Sequence, residues 1–157
     1  MTRQYGRGEA GKRVRDYVPD RRWESTSILS SMRLIGKRES LVYEGALTGE
    51  LFKEWVKEML CPTLKKGDIV IMDNLSAHKV SGVEEAINAV GARVKYLPVY
   101  SPDLNPIELM WSKMKWILET TGARTEDQLL SGVSSALDQI SAKDIAGWFS
   151  HCGYSSS

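Results

Sequence analysis

The chain is poor in the residues that staple small proteins or hold soft metals: two cysteines and two histidines in 157 residues. Cys61 and Cys152 stand far apart, which argues against a disulfide scaffold and a zinc site and fits a reducing cytoplasm. His78 and His151 lack the spacing of a shared metal site. No apolar run approaches the roughly 18 residues of a membrane span. The opening MTRQYGRGEAGKRVRD has no apolar stretch of the kind a secretory signal needs. Net charge is also scant, at +1. What remains is an ordinary globular composition, 42% hydrophobic and 26% charged, in a length that suits one domain with a sizeable core.

The near-neutral total conceals an uneven distribution. Residues 1–22 carry seven basic and three acidic side chains, with three glycines. An arm of this kind is either a solvated loop or a segment that lies along a phosphate backbone, with Arg13 and Arg15 among its cations.

Periodicity then divides the chain. TSILSSMRL (26–34) and SLVYE (40–44) are β-favouring and flank Gly36, predicting a hairpin. Thr48 opens a helix whose stripe is Leu51, Phe52, Trp55, Val56, Met59 and Leu60, with Pro62 at its end. IVIM (69–72) is unbroken and apolar, the pattern of a parallel-type strand buried on both faces. Ser81 and Glu84 have capping-box spacing ahead of a helix that buries Val83, Ala86, Ile87 and Val90 and stops at Gly91. ARVKYL (92–97) reads as a strand ended by Pro98. Asn105 and Pro106 suit the N-cap and first turn of a helix with the stripe Ile107, Met110, Trp111, Met114, Ile117 and Leu118. Thr125 and Gln128 cap another helix, and a short one spans about 142–149. The order predicts an α/β fold with a mixed sheet flanked by helices.

Several residues carry chemistry in this frame. GRGEAGKR (6–13) imitates a phosphate loop through Gly6, Gly8, Gly11 and Lys12. It follows no buried strand and opens no good helix, and Arg13 stands where a magnesium-binding hydroxyl belongs. Asp73 lies at the C-terminal end of a parallel-type strand, where α/β sheets collect ligands. It is either a metal-binding carboxylate or a turn aspartate bonded to nearby amides. Glu108 occupies the third position after Asn105, so it is either the acid of a capping box or a rigidly placed ligand. His78, five residues after Asp73, is a polar loop residue able to meet substrate. Lys79, Lys113 and Lys115 are surface cations that matter if the crevice holds DNA.

VIMDN followed by YLPVYSPDLNPIELMWSKMK resembles the catalytic core of mariner-type bacterial insertion-sequence transposases, endonucleases of the DDE superfamily. DNLSAH, SPDLNPIE and W-S-x-M-K carry the resemblance. So do the 34 residues between Asp73 and Glu108, the spacing of the second and third acids in that family. The resemblance implies an RNase H-like fold, with Asp73 and Glu108 as catalytic metal ligands for Mg2+, or Mn2+ as a substitute. In such sites two ions about 4 Å apart activate the attacking oxygen and stabilise the leaving one. It implies double-stranded DNA, transposon ends and target, as partner. Arg13, Arg15, His78, Lys79, Lys113 and Lys115 are then candidate DNA contacts.

The first acid of the family's triad sits on a strand central to the RNase H-like order, between the hairpin and the strand ending at Asp73. No apolar run bearing an aspartate precedes the hairpin here; Asp16, Asp20 and Glu24 lie in a charged stretch without strand pattern. The expectation is therefore a single partial catalytic domain over 1–157: a basic arm at 1–24, an α/β core at 25–154 and a short tail. It is N-terminally truncated, without the helix-turn-helix region of its relatives, and inactive alone unless the missing transposase part or self-association completes it. The alternative is a non-catalytic DNA-binding or dimerising remnant that modulates an intact transposase.

Overall fold

The structure is a computed structural model that describes residues 26–35, 38–123 and 125–154. The basic arm, with Arg13 and Arg15, and the phosphate-loop lookalike lie outside these residues, as does Gly36 of the hairpin turn.

The hairpin forms as expected. Strand β1 (Thr26–Ser30) pairs antiparallel with β2 (Ser40–Glu44), Ile28 facing Val42 and Ser30 facing Ser40. Thr48 caps helix α1 (Gly49–Trp55) by accepting the Leu51 N–H. The helix does not run on uniformly: Val56–Leu60 is a π turn, closed by the Cys61 N–H on the Val56 carbonyl, and a 3-10 turn over Cys61–Thr63 brings in Pro62. Strand β3 (Ile69–Met72) runs parallel to β4 (Arg93–Tyr96), and helix α2 (Val83–Ala89) forms the crossover. Helices α3 (Pro106–Thr121), α4 (Glu126–Asp138) and α5 (Ala142–His151) complete the chain.

Local chemistry moved three boundaries. Ser81 is not the cap of α2. Gly82 takes that place with φ +95, a left-handed turn natural to glycine, and its N–H donates to Glu85, not Glu84. Val90 lies past the last turn and is exposed, while Val83 and Ile87 are fully buried. Glu108 and Asn105 form no capping box; the Asn105 side chain makes no cap bond, and Pro106 supplies the start with its fixed φ.

The expected mixed sheet is not continuous among the described residues. It stands as two pairs, β1–β2 and β3–β4. Ile69 is exposed, so β3 is not buried on both faces along its length. The alternation of β1 and β2 nevertheless feeds two cores. Leu29, Leu41 and Tyr43 join Phe52, Trp55, Val56 and Ile87 on the α1–α2 side. Ile28 and Val42 turn to Met110, Met114, Val133 and Ile145 of α3–α5. The hairpin is thus a layer between two helical layers. Burial at roughly 25 cal/mol per Å² of apolar surface is what holds such layers together.

Polar contacts clamp the layers. Arg33, just past β1, donates to the Thr63 carbonyl and to Asp68 ahead of β3, both at 2.7 Å. The Asp68 carboxyl titrates low, first because the Lys65 N–H bonds it and then because of Arg33. Lys113 of α3 reaches Asp144 at 2.7 Å and the Gln139 carbonyl at 3.2 Å. The Lys113 ammonium, together with the Ser141 hydroxyl and N–H, lowers the Asp144 carboxyl to about 2. A depressed carboxyl stabilises the fold above its ordinary pKa and loses that contribution as pH falls through the folded value. Urea unfolding at stepped pH should therefore find the Lys113→Met chain less stable than the parent at neutral pH. The gap should close between about pH 4 and pH 2; a gap independent of pH would reject this pairing as its cause.

Candidate functional site

A cleft of about 580 Å³ opens between the two strand pairs. Eight successive residues of and after β1, Ile28 to Ile35, border it, as do Asp68 to Asp73 before and along β3, whereas no residue of β2 or β4 does. Each sheet therefore turns its unpaired edge to the cleft. Phe52, Trp55 and Leu60 of the α1 segment and Ile107 and Trp111 of α3 complete apolar walls. The Trp55 Nε1 is buried without a hydrogen-bond partner among the described residues.

Asp73 and Glu108 both border this cleft. The parallel pairing of β3 puts Asp73 at its C-terminal tip, where the register ends at Met72 facing Tyr96. The neighbouring Asn74 side chain donates to the Leu97 carbonyl and ties that tip to the end of β4. Asp73 fulfils the turn expectation as well: its Oδ1 accepts the Leu75 N–H at 3.0 Å. Asn105 and Pro106 border the same cleft and start α3, which sets Glu108 in its first turn. The Glu108 carboxylate is exposed and has no partner among the described residues.

His78, on a 3-10 turn (Ser76–Lys79), also borders the cleft. Its side chain is 15% exposed, and its Nδ1 lies 2.7 Å from Asp73 Oδ1, without the alignment of a hydrogen bond. The ring packs on Phe52 at a centroid distance of 4.4 Å. A spacing of five residues gave no sign of this contact; it depends on the tight turn between them. Lys79 sits 5.4 Å over the Tyr96 ring. Lys115 is exposed, whereas Lys113 is engaged with Asp144. Phe52 and Trp55 read in the sequence as core residues only, yet they are also cleft walls.

Among the described residues no three His, Cys, Asp or Glu side chains converge on a metal-sized site. Three carboxylates border the cleft, and Arg33 engages that of Asp68; Asp73 and Glu108 are left as hard oxygen donors of a kind that suits Mg2+, which binds through one or two carboxylates and keeps several waters. No helix among the described residues is long and apolar enough to cross a membrane.

Comparison with solved structures finds the fold in the protein of the Mos1 strand transfer complex. The TM-score is 0.70 at 15% identity, over 96% of this chain and 46% of that one. Mos1 transposase in a paired-end complex with the left transposon end aligns at TM-score 0.48 and 16% identity, over 97% and 51%. The chain spans about half the length of these proteins. No curated protein matches it. The family model for DDE superfamily endonucleases matches residues 1–130, most of the sequence. The chain belongs to the DDE superfamily endonucleases.

Proposed function

We propose that this chain is the catalytic-domain portion of a mariner-type insertion-sequence transposase that cleaves transposon ends and joins them to target DNA. One observation carries the reading: Asp73 and Glu108, from the tip of a parallel strand and the first turn of a helix, border one cleft. Members of this superfamily generally work with divalent metal ions. Asp73 and Glu108 are the residues that would hold Mg2+, with Mn2+ as substitute. Bound there, the metal supplies Lewis-acid activation of an oxygen nucleophile. The protein's own share is placement. The β3 tip fixes Asp73, the first turn of α3 fixes Glu108, and Phe52, Trp55, Ile107 and Trp111 line the same cleft with apolar surface.

In this reading the fold is RNase H-like, and the cleft between β1 and β3 is the berth of the first strand, which brings the first carboxylate. Two strand edges turned towards one apolar cleft support it. Backbone groups left unpaired at such edges cost roughly 1–3 kcal/mol each when buried, so an extended segment there satisfies both sheets at once. The isolated 157-residue chain is then inactive in cleavage. Double-stranded DNA is the partner, self-association completes the assembly, and the setting is the cytoplasm. Arg13, Arg15, Lys79 and Lys115 contact DNA. Lys113 contributes little, because Asp144 and the Gln139 carbonyl hold its ammonium.

The test is one set of assays on the purified chain with a labelled transposon-end duplex. Binding should weaken with salt and no Mg2+-dependent cleavage should appear; robust cleavage overturns the incomplete-site reading. Lys115→Ala should lower the slope of log K against log salt by about 1, and Lys113→Ala by much less. Equal slopes for the two variants would reject the assignment. The second reading, a non-catalytic remnant that modulates an intact transposase, is favoured by the absence of a three-ligand cluster among the described residues. It predicts that supplying the missing strand and carboxylate leaves the chain inert.

A further inference from the structure

We propose that His78 is a positioning residue that fixes the Asp73 carboxylate through one oxygen and leaves the other for a metal ion; the metal part rests on the reading of Asp73 given above. Both contacts of the carboxylate fall on the same atom. Oδ1 accepts the Leu75 N–H at 3.0 Å and meets His78 Nδ1 at 2.7 Å. Oδ2 has no partner among the described residues, on a side chain that borders the cleft. The carboxylate is thereby restrained against rotation, with one oxygen committed to the protein and one open.

The imidazole is itself held. Its ring packs against Phe52, tilted by 38°, and Phe52 packs on Trp55 at 5.9 Å within α1. The Tyr96 hydroxyl donates to the His78 carbonyl at 3.2 Å, so β4 anchors the turn from the other side. Nδ1 is buried and lies against Asp73, without hydrogen-bond alignment. A lysine or arginine in this place would put a permanent positive charge against the carboxylate and compete with a cation. An imidazole nitrogen at 2.7 Å restrains the carboxylate oxygen without such a side chain's fixed charge.

Ring packing and the polar contact can be separated by two substitutions. His78→Phe keeps a ring on Phe52 and removes the nitrogen beside Asp73. His78→Asn removes the ring and sets an amide N–H near the position of Nδ1. Two readouts on the full 157-residue chain follow the carboxylate: amide hydrogen exchange at Leu75, and titration with Tb3+ by luminescence sensitised from the cleft tryptophans Trp55 and Trp111. His78→Phe should speed Leu75 exchange and weaken Tb3+ binding by about 10-fold or more, the range found when the partner that orients a metal ligand is lost. His78→Asn should stay within about 3-fold of the parent on the same scale. Equal losses in both variants, or a loss confined to His78→Asn, overturn the proposal, because ring packing alone predicts that order. Asp73→Asn and Glu108→Gln should abolish the Tb3+ signal. If the parent chain binds no Tb3+, the metal reading fails, while Leu75 exchange still decides whether His78 holds Asp73.

Discussion

Replacing Glu108 by Gln, or Asp73 by Asn, is expected to lower DNA cleavage by three orders of magnitude or more in an assembly competent for cleavage. Each change keeps size and shape and removes one negative charge. A metal held by the pair contributes several kcal/mol to the charge that develops in phosphoryl transfer. At 1.36 kcal/mol per tenfold, loss of about 4 kcal/mol is about a thousandfold in rate. Neither substitution should unfold the chain. Glu108 is exposed and unpartnered among the described residues, and asparagine at 73 keeps an oxygen for the Leu75 N–H. The measurement pairs single-turnover cleavage of a labelled duplex with thermal unfolding of each variant. Unchanged cleavage with either variant would remove that residue from the site. A loss matched by a collapse in melting temperature would mark the residue as structural.

Met110→Ala should be the most damaging single truncation among those compared on α3, at about 2–5 kcal/mol. Met110 is fully buried in one core with Met114 of the same helix, Val133 of α4 and Ile145 of α5. Against a usual total of about 5–15 kcal/mol, that loss brings the chain close to unfolding at physiological temperature. Trp116, on the same helix, is larger but 66% exposed. Its replacement by alanine should stay within about 0.5 kcal/mol. Urea unfolding of the two variants decides this: comparable midpoint shifts would mean that α3 is not packed as described. Trp111 falls between them, half-buried and shared between the second core and the cleft wall.

The ends of the elements were legible wherever one side chain does the capping. Thr48 and Thr125 each accept an amide three residues on, as their spacing predicted, and Pro106 sits in the first turn of α3. The reading failed where backbone conformation decided. Gly82 takes a left-handed turn that displaces Ser81 from the cap. An apolar count could not foresee that Ile69 lies at an open edge. Position alone left Asp73 open between turn and ligand and Glu108 between cap and ligand; the resemblance of DNLSAH and SPDLNPIE to a family paired them, and the structure sets both on one cleft. Their surroundings were not legible in the sequence. Arg33 meets Asp68 across 35 positions, and Lys113 meets Asp144 across 31. Contacts between residues so distant in the chain leave no periodic trace in it.

The π turn at Val56–Leu60 has a consequence for how α1 tolerates changes in length. Trp55 and Leu60 both border the cleft although five positions separate them. On a regular α-helix, at about 100° per residue, they would point roughly 140° apart. The wider turn, with its bond from the Cys61 N–H to the Val56 carbonyl, brings them back to one side. The segment therefore behaves as an α-helix holding one surplus residue. Deleting Lys57, which is exposed, would let the turn tighten to ordinary helix and keep both side chains on the cleft. The same deletion one turn earlier, inside Gly49–Trp55, would rotate Trp55 off the wall. Length is thus negotiable at a single place in this helix, and that place lies beside the cleft.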